Sequence, residues 1–146
     1  MKRIILLIAC IATFITMLST TCFASTTNES YFFQLPREGY YTVLNKGERK
    51  EDRSSSYVYY RSPAEGGVYY SIHGYPKENF DTQPTNCTIG DSAIMYPGQK
   101  RRIRQYVYEW GYRYAFIGGA PTAGRGNTYV FGYWSPDCAG NYPAAN

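Results

Sequence analysis

"KRRIRQYVYEWGYRYAFIGG", Lys100 to Gly119, is the stretch whose reading decides the fold. Read as a strand, Arg102, Arg104, Tyr106 and Tyr108 face one way and Ile103, Gln105, Val107 and Glu109 the other. That is the period of two expected of a half-buried sheet. Read as a helix, Ile103, Tyr106, Val107 and Trp110 form an apolar stripe, as in basic amphipathic helices that lie on anionic membranes. Two features favour the strand. The cations crowd the N-terminal end, where a helix dipole repels them, and the "YVY" run loses side-chain freedom in a helix. Gly111 interrupts the run, because a strand continuing to Phe116 would exceed the usual length of roughly 3–10 residues. A hairpin is therefore expected, with the loop Trp110–Gly111–Tyr112, Glu109 opposite Arg113 and Val107 opposite Ala115.

The rest of the chain agrees with a β reading. All seventeen tyrosines lie beyond residue 24, where leucine is nearly absent, and fourteen glycines and eight prolines punctuate the chain. Tyr, Val, Ile, Thr, Phe and Trp suit a pleated, half-buried surface. Strands are expected at 31–35, 40–44, 57–61, 67–74, 92–96 and 127–134. The first two are expected to be separated by the turn "PREG", and 57–61 to pair with 67–74 across "SPAEG". In the latter strand Val68, Tyr70 and Ile72 share one face, and Tyr69, Ser71 and His73 the other. "NKGERKEDRSSS", 45–56, has no apolar periodicity and reads as an exposed loop. The fold class is all-β: a small antiparallel β-sandwich, or an open barrel, of about seven or eight strands.

The N-terminus has a different character. Lys2 and Arg3 precede an uncharged apolar run, Ile4 to Leu18, and small residues at Cys22 and Ala24 suit a signal-peptide cleavage after Ala24. The expected organisation is a signal peptide helix at 1–24, a disordered leader at 25–30 and one β domain at 31–146. The expected location is secreted, or extracellular. Cys10 and Cys22 would leave with the signal. In an oxidising compartment, Cys87 and Cys138 are then expected to form a disulfide. Closing that loop would stabilise the fold by about 4 kcal/mol in the chain-entropy model.

Charge is uneven. Residues 100–125 carry six Lys and Arg against Glu109 alone, whereas residues 25–99 carry seven against nine Asp and Glu. The total is too small for a general nucleic-acid binder, so no nucleic acid partner is expected. A local cationic patch beside aromatics suits an anionic wall polymer, a glycan or a membrane surface. Lys100, Arg101, Arg102 and Arg104 are the candidate charges, and Tyr106, Tyr108 and Trp110 the candidate stacking platforms. The alternative reading of "KRRIR" is no more than a solvated edge that discourages strand-to-strand aggregation.

No catalytic constellation assembles. His73 is the only histidine, no G-x-S-x-G elbow is present, and no two of Glu65, Asp91, Glu109 and Asp137 stand out as a carboxylate pair. Too few soft ligands exist for zinc, so neither a metal nor another cofactor is expected. The expectation is a binding protein rather than an enzyme, with a secreted bacteriocin or toxin-like protein acting on membranes as the alternative.

The signal-like N-terminus, the Tyr-rich strands, "RRIRQYVYEWGY" (101–112) and "GYWSPD" (132–137) together resemble an uncharacterised family of small secreted proteins of Gram-positive bacteria. The plan also faintly resembles the lactococcin 972-type bacteriocins. The first likeness implies export and a β fold; the second would imply an antimicrobial role.

Overall fold

The computed structural model describes residues 28–36, 40–62, 66–122 and 129–146. The expected signal peptide and most of the expected leader lie outside them. Ten strands follow in chain order: β1 Glu29–Gln34, β2 Thr42–Val43, β3 Glu48–Arg49, β4 Ser56–Tyr60 and β5 Val68–Tyr75. Then come β6 Thr85–Asn86, β7 Ala93–Met95, β8 Lys100–Ile103, β9 Tyr114–Pro121 and β10 Tyr129–Ser135. Glu29 and Ser30, expected in the leader, instead open β1 opposite Trp134 and Tyr133.

The strands form two antiparallel sheets, one of them curled into a half-barrel, so the all-β expectation holds. Sheet A has the order β1-β10-β4-β8. Sheet B is built on β2-β9-β5-β6, with β3 also pairing β9 and β7 pairing β5. The alternation of β10 shows how a face is chosen. Val130, Gly132 and Trp134 are buried, while Tyr129, Phe131 and Tyr133 are exposed. Leu35, Val58, Tyr60 and Ile103 join the buried side of sheet A, and Val68, Tyr70, Ile72, Met95 and Ile117 that of sheet B.

Tyrosines hold the two sheets together. Tyr31 on β1 and Tyr70 on β5 share a hydroxyl–hydroxyl hydrogen bond of 2.8 Å, with their rings edge to face at 5.9 Å. Tyr60 on β4 packs edge to face on the same Tyr70 ring at 5.8 Å. Such geometry suits the ring quadrupoles and adds about 0.5–1.5 kcal/mol per pair beyond area burial. Gly132 makes room for Tyr31: a Cβ there would lie 1.9 Å from the Tyr59 carbonyl oxygen and 2.7 Å from the Tyr31 hydroxyl.

Two expected pairings are replaced. Strands β4 and β5 do not form a hairpin; β4 pairs β10 and β8, whereas β5 pairs β9, β6 and β7. Alternation says which side chains share a face but not which strand lies alongside. The hairpin within residues 100–119 is absent as well. Strand β8 belongs to sheet A and β9 to sheet B, so residues 104–113 are the crossover between sheets. There Trp110 N–H donates to the Tyr106 carbonyl and Tyr112 N–H to the Val107 carbonyl, and Gly111 closes the turn with φ +80°. The alternation itself survives: Ile103, Gln105 and Val107 are buried, and Arg102, Arg104, Tyr106 and Tyr108 are exposed.

The second face of β5 is also buried, which alternation alone did not anticipate. Phe116 packs edge to face with Phe80 at 5.4 Å and Tyr75 at 6.4 Å, directly above Gly47. Phe80 belongs to the irregular stretch 76–91. That stretch is held by β6, by the bridge Lys46–Asn79 and by Ile72 N–H donating to Thr88 Oγ1 at 2.7 Å.

The expected disulfide is not formed: Cys87 and Cys138 are both free thiols. Cys87 is buried beside Gly74 in sheet B, its thiol donating to the Thr85 carbonyl at 3.3 Å. Cys138 follows β10 at the end of sheet A, where its thiol donates to the Gly140 carbonyl at 3.3 Å. The two sulfurs thus serve different sheets. Burial pushes the Cys87 thiol up to about 12, which makes it inert at neutral pH. Reductant is therefore expected to leave the thermal midpoint unchanged, and alkylation of the native protein to label Cys138 before Cys87. A midpoint that falls by many degrees on reduction would contradict this arrangement.

A buried ion pair does the tethering instead. Lys50 Nζ and the Asp137 carboxylate are hydrogen-bonded, with neither side chain exposed to solvent. Lys50 also donates to the Ser54 carbonyl at 2.6 Å, and Glu51 N–H donates to Asp137 Oδ2 at 3.0 Å. Gln105 Nε2 reaches the same Ser54 carbonyl at 2.9 Å, and Cys138 N–H donates to Ser54 Oγ at 3.1 Å. The segment 45–56, expected to be an exposed loop, therefore contains β3 and the inner end of this network.

Candidate binding face

Residues paired across an antiparallel ladder present their side chains on the same face. One row across sheet A reads Ser30, Tyr133, Tyr59, Lys100. A neighbouring row sets Phe32 opposite Phe131, and another sets Ser135 opposite Tyr57 and Tyr57 opposite Arg102. This is the face turned away from sheet B. It carries a continuous set of rings: Phe32 stacks on Tyr129 at 5.5 Å, Tyr59 on Tyr133 at 6.4 Å, and Tyr57 leans on Tyr142 at 4.6 Å.

Cations are placed among these rings. Lys100 Nζ lies 4.9 Å from the centre of the Tyr59 ring, within range of the ring's negative face. Arg61 Nη1 donates to the Tyr133 hydroxyl at 3.3 Å. Arg102 stands beside Tyr57 in the register. The outward rows of β1, β10, β4 and β8 hold no Asp or Glu among the described residues. Between the rings run shallow concavities with shared walls. One of about 360 Å³ is bounded by Phe32, Arg61, Phe131 and Tyr133. The next, about 270 Å³, lies between Tyr57, Tyr59, Lys100 and Tyr133.

The sequence-predicted site is divided by this arrangement. Lys100 and Arg102 lie on the aromatic face. Arg101 pairs with Val58 and so falls on the opposite face of the sheet, while Arg104 lies just past the strand. Tyr106, Tyr108 and Trp110 are all exposed, but they sit on the crossover, where Tyr106 and Trp110 stack at 5.7 Å. The rings that accompany the cations are Tyr57, Tyr59 and Tyr133, which come from other strands. The edge of β8 is covered: Arg102 N–H donates to the Pro143 carbonyl, and its carbonyl accepts from Ala145 N–H.

Two other places are less suited to a ligand. A wider hollow of about 750 Å³ lies among Arg49, Lys50, Glu51, Tyr108, Tyr112 and Arg113. With Lys50 committed to Asp137, its lining sets Arg49 and Arg113 against Glu51, a small net positive charge without a row of stacked rings. His73 Nε2 is hydrogen-bonded to Ser71 Oγ at 2.8 Å, and burial lowers the imidazole's pKa. Both side chains are buried and satisfy each other.

The fold and face define a small all-β protein with an aromatic, cationic sheet surface. The chain matches the family described as protein of unknown function, DUF2712, over residues 18–138, and it belongs to that family. The likeness to lactococcin 972-type bacteriocins is not shown by this match. No curated protein and no solved structure matches the chain.

Proposed function

We propose that the protein is an exported binding protein whose outer sheet A face holds an anionic glycan of a cell envelope. The observation that carries this reading is the row Tyr133–Tyr59–Lys100, two stacked rings ending in a cation, on a face whose outward rows lack carboxylates among the described residues. Flat rings offer the apolar faces of sugars an area to stack on, and their hydroxyls remain available for hydrogen bonds. Lys100, Arg61 and Arg102 supply the charge complement for carboxylate or phosphate groups on the polymer. Export rests on the N-terminal sequence pattern of residues 1–24.

Binding of polygalacturonate and of poly(glycerol phosphate), with neutral dextran as control, tests the proposal. Tyr59→Ala is expected to weaken retention of the anionic polymer roughly tenfold, in line with about 1–2 kcal/mol for an aromatic anchor. Raising salt weakens it further, because exposed charges are screened beyond roughly 8–10 Å. Retention that ignores both salt and Tyr59→Ala would overturn the reading. A second reading, action on membranes, has its own observation: the stacked, exposed Tyr106–Trp110 pair beside Arg104 resembles an interfacial anchor. Dye release from anionic vesicles, abolished by Trp110→Ala, would favour that reading over the wall binder.

A further inference from the structure

At one end of the aromatic face, Asn28, Tyr57, Ser135, Cys138, Gly140 and Tyr142 line a pocket of about 160 Å³. This is well below the roughly 300 Å³ at which drug-sized sites begin, so it suits one sugar ring or a substituent. Ser135 belongs to the outward row of sheet A, opposite Tyr57. It is nevertheless 1% exposed, and its Oγ is the one buried side-chain polar atom among the described residues with no hydrogen-bond partner. A buried hydroxyl left unpaired costs about 1–3 kcal/mol, so such a group calls for an explanation.

The surroundings narrow what the hydroxyl awaits. The pocket shares Asn28 and Tyr57 with the concavity that holds Tyr59 and Lys100. It is closed on its far side by the tail, where the Tyr142 ring packs against both Tyr57 and Gly140. A polymer lying along the rings therefore stops there. The lining is uncharged apart from Asp137, whose carboxylate is already held by Lys50 and Glu51 N–H. Burial pushes the Tyr57 phenol up to about 12, so it stays neutral.

We infer that this pocket is the terminal subsite of the face, taking an uncharged, hydroxyl-bearing sugar at the end of the anionic glycan, with the Ser135 hydroxyl turning about its Cα–Cβ bond to meet one of the sugar's hydroxyls. The inference rests on the proposed glycan reading of the face. It is tested by calorimetric titration of the full chain with short oligogalacturonates and short glycerol phosphate oligomers. Each backbone is prepared with its charged end intact and with one neutral hexose capping that end. The wild type is expected to prefer the capped form of the backbone it binds by roughly three- to tenfold, the worth of one or two neutral hydrogen bonds. Ser135→Ala should abolish that preference while leaving the thermal midpoint equal or higher, because the fold loses no bond. Ala139→Trp, at the exposed rim of the pocket, should abolish it too.

Which backbone shows the preference identifies the source of the anionic groups. Equal binding of capped and uncapped oligomers by the wild type, or a preference retained in Ser135→Ala, overturns the subsite and leaves the face intact. Failure of the wild type to bind any of the four oligomers overturns the face and the subsite together.

Discussion

Asp137→Ala is expected to destabilise the protein by about 3–5 kcal/mol, because it leaves the fully covered Lys50 ammonium with only the partly exposed Asp52, 3.7 Å away, as counter-charge. Removing one partner of a buried ion pair costs more than the pair itself contributes. Both side chains are fully covered, and the carboxylate also accepts from Glu51 N–H. Urea unfolding with an unchanged slope and a lower midpoint would report the loss directly. The double variant Lys50→Met/Asp137→Leu is expected to recover much of it, since apolar residues of similar volume replace buried pairs at little cost. A single variant as stable as the wild type would mean that the pair is solvated in solution. The measurement also has a local readout. Because Ser54 joins the pair to Cys138 N–H and to Gln105, losing Asp137 should accelerate amide exchange at residues 137–138 before the rest of sheet A.

Tyr70 offers the second large effect. Tyr70→Ala empties the space against Tyr31 and Tyr60 and should cost about 3–5 kcal/mol, as large aromatic truncations in cores do. Tyr70→Phe keeps the ring and removes the hydroxyl with its 2.8 Å bond to Tyr31, so about 1 kcal/mol is expected. The gap between the two measures how much of the inter-sheet contact is packing rather than hydrogen bonding. Burial raises the phenols of Tyr31 and Tyr70 well above their ordinary value. In an alkaline absorbance titration both should therefore stay silent until the protein unfolds. Ionisation of either phenol before the protein unfolds would show that the sheets separate first.

Much of the fold class was legible in the chain, and less of its wiring. The alternation around Ile103, Gln105 and Val107 named the buried side correctly, because a strand's period of two is a local property. The partners of β4, β8 and β9 were not legible, since the choice between a hairpin and a crossover depends on which distant strand covers which face. The short strands β3 and β6 carry too few residues to show a period. The tether was missed for a different reason. Lys50 sits in a run of charges, and Asp137 in a Pro- and Gly-bearing tail, so neither signals burial; two cysteines in the same chain offered a more obvious staple.

The candidate face was half visible. The segment 100–110 contained both of its ingredients, cations and rings, yet folding sends them to different places. Lys100 and Arg102 stay on sheet A, while Tyr106, Tyr108 and Trp110 turn away on the crossover. Their replacements come from β4 and β10, whose register with β8 only a structure supplies. The "YVYY" and "YVFGYW" runs already held the signal, in aromatic rings (Tyr57, Tyr59; Tyr129, Phe131, Tyr133) alternating with buried Val58, Val130, Gly132 and Trp134.

The position of β10 bears on how the protein is made. This strand, from the final fifth of the chain, is threaded between β1 and β4. Until it has been made, β1 has no strand partner among the described residues, and of the aromatic face only the β4–β8 part, Tyr57 and Tyr59 with Arg102 and Lys100, can form. Assembly is therefore a late, long-range event, slow by the ordinary dependence of rate on contact separation. A nascent chain halted before residue 129 would be an unfinished, adhesive thread rather than a smaller version of the same molecule.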